Sequence, residues 1–242
     1  MANAITVARV LLVFLIIGVW GRERTLANMW VDLAMVPLLA WAIIMDAIDG
    51  WAARKLHEES KAGALFDIAG DRIVELALWT FFAIRRDTDG HPLIPLWVPL
   101  VIITRTVLTD LIRSVAFGEG KTAFGADGMQ SSAWARQLVS SRWSRAAYGA
   151  MKAVAWCALG VLIAWPSMGM SAGAGVVVRL SVDILVYLTT LFAVVRAVPV
   201  LWEGRRYVFN LKRVDAGSHR ASGPAGKRAR PSRPRPAADR RG

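Results

Sequence analysis

The sequence is poor in the residues that build disulfide frameworks and zinc sites, with one cysteine, Cys157, and three histidines in 242 residues. A single cysteine excludes a disulfide within the chain, and no Cys/His cluster has metal-ligand spacing. Cys157 lies inside an apolar run and reads as a small buried apolar residue. Acids are scarce as well, 18 Asp and Glu against 30 Lys and Arg, for a net charge of +12. What is plentiful is apolar: 55% of residues are hydrophobic, eleven are tryptophan, and mean hydropathy is +0.40. That composition fits an all-α, polytopic membrane protein and not a soluble domain of equal length.

The positive charge is concentrated. Residues 203–242 hold twelve Lys and Arg against three acids, Glu203, Asp215 and Asp239. This stretch is rich in Pro, Gly, Ser and Ala, and beyond Tyr207 and Phe209 no aromatic residue interleaves the arginines. Nucleic acid is therefore not the expected partner. The expectation is a membrane domain over 1–202 and a disordered, basic cytoplasmic tail over 203–242 that lies near anionic lipid.

Six apolar segments are legible, at about 5–20, 29–49, 64–84, 94–116, 146–165 and 176–201. The first is short for a full span and is expected to begin as a surface helix. It has no basic region ahead of it and no A-x-A site after it, so it is read as part of the bundle and not as a signal peptide. Six spans put both termini on one side. The turn between the second and third segments, the 117–145 loop and the tail share that side and carry most of the Lys and Arg, so it is expected to be cytoplasmic.

The chemistry is concentrated in residues 46–71. Asp46, Asp49, Gly50 and Ala53 fall at i, i+3, i+4 and i+7, one face of one helix. Gly63, Asp67 and Asp71 follow at steps of four, one face of a second helix, and the polar run 55–61 suits a turn between them. Each acid taken singly reads as a solvated helix flank. Together, four carboxylates converging in one space cannot all stay ionised without a partner. A hard divalent cation, or two, is the natural one, with oxygen ligands favouring magnesium, manganese or calcium over zinc. Gly50, Ala53 and Gly63 leave an open floor, and Arg54 offers a planar fork to a phosphate. Metal, floor and arginine together point to a ligand containing a pyrophosphate.

The stretch resembles the signature of the CDP-alcohol phosphatidyltransferase family, D-x2-D-G-x2-A-R-x8-G-x3-D-x3-D, at all its fixed positions: Asp46, Asp49, Gly50, Ala53, Arg54, Gly63, Asp67 and Asp71. The resemblance implies a six-helix membrane enzyme, commonly a homodimer. It implies CDP-diacylglycerol bound through its diphosphate, two Mg or Mn ions on Asp46, Asp49, Asp67 and Asp71, and Asp71 as general base. CMP would be released as a small alcohol accepts the phosphatidyl group, by a multi-pass protein of the cell (inner) membrane with its active site on the cytoplasmic side. Asn3, Thr6 and Arg9 form an N-x2-T-x2-R pattern that many relatives carry, which implies that Thr6 and Arg9 join Gly50, Ala53, Arg54 and Gly63 around the donor. For Arg9 the competing reading is a snorkelling interface residue.

The acceptor is read from the fourth segment. Arg105 and Arg113 are eight apart and share a face. One reading is an internal ion pair, for instance Asp110 with Arg113; the other is a phosphate site for the acceptor. The string Ile103-Thr104-Arg105 to Leu111-Ile112-Arg113 resembles the phosphatidylglycerophosphate synthase branch, and so, faintly, does 141–152 with Arg142, Arg145 and Lys152. That branch implies glycerol 3-phosphate as acceptor. Thr106 in place of glutamate, Met45 before the first aspartate, and Arg72 and Glu75 after the last depart from its pattern. Inositol phosphate or serine is the alternative acceptor. From other classes, a cation transporter or a non-catalytic membrane scaffold stands as the alternative. Arg179 and Asp183, at i and i+4, are expected to pair with each other.

Overall fold

The structure, a computed structural model, describes residues 2–22, 29–56, 61–87, 90–118, 134, 136–164 and 172–209; between 46 and 62 it describes backbone and not side chains. Six long α-helices account for most of these residues: α1 (Ala2–Trp20), α2 (Met29–Leu56), α3 (Lys61–Ile84), α4 (Trp97–Gly118), α5 (Arg142–Ala164) and α6 (Ala172–Phe209). One π-helical turn, Arg136–Ser140, precedes α5.

The helices form where the apolar segments lie, because every backbone N–H and C=O of an apolar run must be satisfied within the run. Several of their polar side chains are turned back on their own helix. The hydroxyls of Ser181, Thr189 and Thr190 each donate to the carbonyl four residues earlier, at 2.7–2.8 Å. Pro37 in α2 and Pro199 in α6 sit inside helices, as proline does where neighbouring helices support the broken ladder. Helix α5 starts at Arg142, earlier than the expected 146, so Arg142 and Arg145 belong to its first turn and not to a loop. Helix α6 runs to Phe209, through the expected boundary at 202; residues 210–242 lie outside those described. Two helices, α5 and α6, are long and apolar enough over their described residues to cross a membrane.

The principal helix contacts close a ring in the order α1, α2, α5, α6, α4, α3 and back to α1, with the π turn against α5 and α6. Trp20 ties one end of this ring. Its ring is fully buried and lies against Phe81 and Phe82 of α3, and its indole N–H donates to the Asp32 carbonyl of α2 at 3.0 Å. Gly160 of α5 makes room for it: a Cβ there would come within 2.7 Å of the Trp20 ring. At the same end Arg179 pairs with Asp183 as expected, at 3.1 Å. It also reaches Asp87 at 3.3 Å and the carbonyls of Pro92 and Leu93, fastening the α3–α4 connection to α6.

Candidate active site

The site is built outward from α3, which presents Asp67, Asp71 and Glu75 at steps of four on one face. Helix α1 packs against that face across Gly70, where a Cβ would strike the Thr6 methyl group and come within 3.5 Å of the Arg9 guanidinium. The close approach sets two side chains of α1 on the acids. The Thr6 hydroxyl donates to Asp67 Oδ1 at 3.4 Å, and Arg9 Nη2 donates to Asp71 Oδ1 at 2.7 Å while lying 3.8 Å from Asp67 Oδ1. Thr6 and Arg9 are buried, at 3% and 4% exposure, whereas the Asp67 and Asp71 side chains are about half exposed, at 46% and 49%. The carboxylates thus face a cleft, steadied from behind by α1. Arg9 is held inward, and the snorkelling alternative does not describe it.

A cavity of about 120 Å³ opens beside Asp71, lined among others by Arg9, Ala42, Ile43, Lys152 and Trp156. Its walls come from α1, α2, α3 and α5, so it lies inside the helix ring.

Deeper by one turn of α3 lies a cluster of charges that sequence reasoning found only in part. The Glu75 carboxylate, 1% exposed as a residue, accepts from Arg105 at 3.0 Å, from Arg72 at 3.2 Å and from the Tyr148 hydroxyl at 2.8 Å, and Lys152 Nζ lies 3.3 Å away. Arg72 also forks onto Asp110 of α4 at 2.8 and 3.1 Å, and Arg113 reaches Asp110 at 3.5 Å, the pair expected from spacing. The Tyr148 ring has three cations over it: Lys152 at 4.9 Å, Arg105 at 5.0 Å and Arg196 at 5.4 Å from its centroid. Arg196, on α6, also donates to the Val139 carbonyl of the π turn at 3.3 Å. Removing one member of a buried ionic cluster typically costs about 3–5 kcal/mol, because its partner's charge is left uncompensated.

Of the residues expected to act, the structure brings Thr6, Arg9, Asp67 and Asp71 together at the cleft and Arg105 and Arg113 into the deeper cluster. Arg142 and Arg145 lie exposed on the first turn of α5. Gly63 lies in the first turn of α3. Asp46, Asp49, Gly50, Ala53 and Arg54 lie on the last turns of α2, with side chains outside the described residues. Among the described residues no three Asp, Glu, His or Cys side chains converge as a metal site. The half of the expected site that is described, Asp67 and Asp71, nevertheless suits a hard divalent ion: two half-exposed carboxylates, oxygen donors only, on one helix face. Tyr148 and Arg196 were not legible as site residues. For Arg196 a signal existed, a lone cation inside the apolar run Leu191–Leu201; for Tyr148 there was none.

Among the described residues the site is thus a pair of half-exposed carboxylates on a helical bundle, above a buried cluster of mixed charge. The chain belongs to the CDP-alcohol phosphatidyltransferase family, whose family model matches residues 1–195. Members of this family are membrane-embedded transferases of phospholipid biosynthesis. It is also similar to a CDP-diacylglycerol–inositol 3-phosphatidyltransferase of Schizosaccharomyces pombe (strain 972 / ATCC 24843), 44% identical over 41 residues. The match covers 17% of this chain and 17% of that protein.

Proposed function

We propose that this protein transfers the phosphatidyl group of CDP-diacylglycerol to a hydroxyl of a small phosphorylated alcohol, glycerol 3-phosphate first among them, releasing CMP. The observation that carries the acceptor half of this reading is the charge balance of the deeper cluster. Among the described residues, three cations, Arg72, Arg105 and Lys152, meet Glu75 and Asp110, and a fourth, Arg196, lies over the Tyr148 ring that Arg105 and Lys152 share. A positive surplus inside a helix ring calls for an anion, and an acceptor phosphate supplies one.

In this reading the donor diphosphate lies at the cleft. Asp67 and Asp71, with Asp46 and Asp49 from α2, would hold two Mg or Mn ions, which supply charge neutralisation at the attacked phosphorus and at the leaving CMP. Gly50, Ala53, Gly63, Arg54 and Thr6 would bound the donor. Asp71 takes the proton from the acceptor hydroxyl as that oxygen bonds to the phosphorus bearing the diacylglycerol, and the bond to CMP breaks in line. Arg9 takes one oxygen of Asp71 and orients the carboxylate, leaving the other for the proton. The acceptor occupies the cavity between Asp71 and Lys152, its phosphate on Arg105 and Lys152. Arg113 supports that floor through Asp110, and Arg142 and Arg145 line the approach. The same reading includes six spans, both termini and the site on the cytoplasmic side, and a homodimer.

The Schizosaccharomyces pombe relative favours a second reading, the same chemistry with inositol phosphate or inositol as acceptor. The test is CMP release by purified protein in detergent with CDP-diacylglycerol, magnesium and one acceptor at a time. Release with glycerol 3-phosphate that stops with chelator is the expected result. Release with inositol phosphate, inositol or serine alone would replace the acceptor. Release with none of them would overturn the transfer reading.

A further inference from the structure

We infer that Glu75 and Tyr148 are positioning residues for the acceptor's phosphate, a buried anion and its tyrosine holding the cations that meet the substrate. The inference rests on the proposed transfer reaction and deepens it by assigning the residues that select a phosphorylated acceptor over a neutral polyol.

The argument starts from depth. The Glu75 side chain is 2% exposed, against 13% for Arg105, 19% for Lys152 and 26% for Arg72. The anion is the most buried member of the cluster, so Glu75 orders the cations while leaving part of each exposed, and Lys152 lines the cavity. Each cation gives Glu75 a single nitrogen: Nη2 of Arg105, Nζ of Lys152 and Nη1 of Arg72. Arg72 spends its other two nitrogens on Asp110, but an ammonium has three donors and a guanidinium five, so Lys152 and Arg105 keep capacity for a ligand. Arg105 Nε is buried without a partner, and so is the indole nitrogen of Trp156, which lines the same cavity as Lys152 and Asp71.

Tyr148 completes the frame. Its hydroxyl donates to Glu75 Oε1 at 2.8 Å and accepts from Arg105 Nη2, while its ring carries Lys152, Arg105 and Arg196. One tyrosine thus registers cations from α4, α5 and α6 against an acid on α3. Long cationic side chains that repel one another would otherwise spread over many rotamers, and a site held by locked neighbours binds better than one assembled by the ligand. Glu75 follows Asp71 by four residues, so about 6 Å of helix axis separates the proposed base from the organiser of the cations. A small phosphorylated alcohol can span that distance, with its hydroxyl at one end and its phosphate at the other. A neutral polyol brings no second anion to Arg105 and Lys152, which Glu75 alone must then balance.

The test uses the full chain in detergent and two probes. Inorganic phosphate is first titrated against thermal unfolding of the wild type, E75Q and Y148F. Phosphate raises the wild-type midpoint, and at least tenfold more phosphate is needed for the same rise in either variant. CMP-release kinetics with glycerol 3-phosphate then show its KM raised tenfold or more in E75Q and severalfold in Y148F. The KM for CDP-diacylglycerol stays within twofold of wild type, and E75D recovers part of the loss. Equal protection of all three proteins by phosphate, no protection of the wild type, or a matched rise in both KM values would each overturn the inference. If E75Q fails to fold, Y148F, which removes one hydroxyl and keeps the ring, decides the matter alone. Absence of CMP release from wild type would instead strike the transfer reading, which the phosphate titration does not depend on.

Discussion

Arg9 and Asp71, 62 residues apart in the chain, meet through a 2.7 Å hydrogen bond between α1 and α3. The bond joins a nearly buried guanidinium to a half-exposed carboxylate, so it fixes the carboxylate's orientation while leaving it open to the cleft. Charge-assisted contacts of this kind are short and directional. If Asp71 is the base and Arg9 its orienter, Asp71→Asn lowers kcat by about 10²–10⁴-fold with the protein still folded. Arg9→Gln lowers it by a smaller factor, and Arg9→Lys falls between Arg9→Gln and wild type. Near wild-type turnover by Asp71→Asn would remove the assigned base.

The contact exists because Gly70 lets α1 approach. Gly70→Val would force the Thr6 methyl away and pull Arg9 off Asp71. The expected result is loss of kcat comparable with Arg9→Gln, with the acceptor KM, set by the deeper cluster, little changed. A rise confined to the acceptor KM would place the α1–α3 contact elsewhere in the mechanism.

Metal dependence tests Asp67 as a ligand. Chelator should abolish CMP release, and added Mg or Mn should restore it. Asp67→Asn should weaken metal binding, read directly as a higher midpoint in a Mn titration followed by electron paramagnetic resonance, alongside the loss of rate. Unchanged Mn binding in Asp67→Asn would show that the ions sit on other ligands.

How much of this was legible beforehand depended on whether the interacting residues share a helix. Asp67 and Asp71 on one face, the pairs Arg179–Asp183 and Asp110–Arg113, and the inward-facing Arg105 all follow from steps of three, four or eight within one segment. The six apolar segments gave the helices, though the start of α5 and the end of α6 moved, because polar residues at helix ends carry no hydropathy signal. Contacts between helices were not legible. Apolar segments with polar residues on several faces do not announce which neighbour they meet, so the ring order, the pairing of Arg9 with Asp71, the bond of Tyr148 to Glu75 and the place of Arg196 over the Tyr148 ring show only in the folded structure. Glu75 itself was visible only as a departure from the synthase pattern. Its partners explain why an acid is tolerated there.

The last prediction concerns the far end of the bundle, where no chemistry is assigned. Trp20 is fully buried between α1, α2, α3 and α5, held by Phe81, Phe82 and a hydrogen bond to the Asp32 carbonyl, and it cannot yield easily. A methyl group at position 160 would sit 2.7 Å from two of its ring carbons and 3.2 Å from Val36. Overpacking a filled core typically costs about 1–3 kcal/mol, because side chains leave their rotamers or helices shift apart. Gly160→Ala should therefore lower the thermal midpoint in detergent by several degrees, and Gly160→Val by more. Gly160 lies about two turns of α5 beyond Lys152 and meets Trp20 and Val36, which do not line the cavity, so neither KM should change in the protein that remains folded. A change in acceptor KM without loss of stability would mean that the α2–α5 contact transmits to the site, and that the two ends of the bundle are coupled.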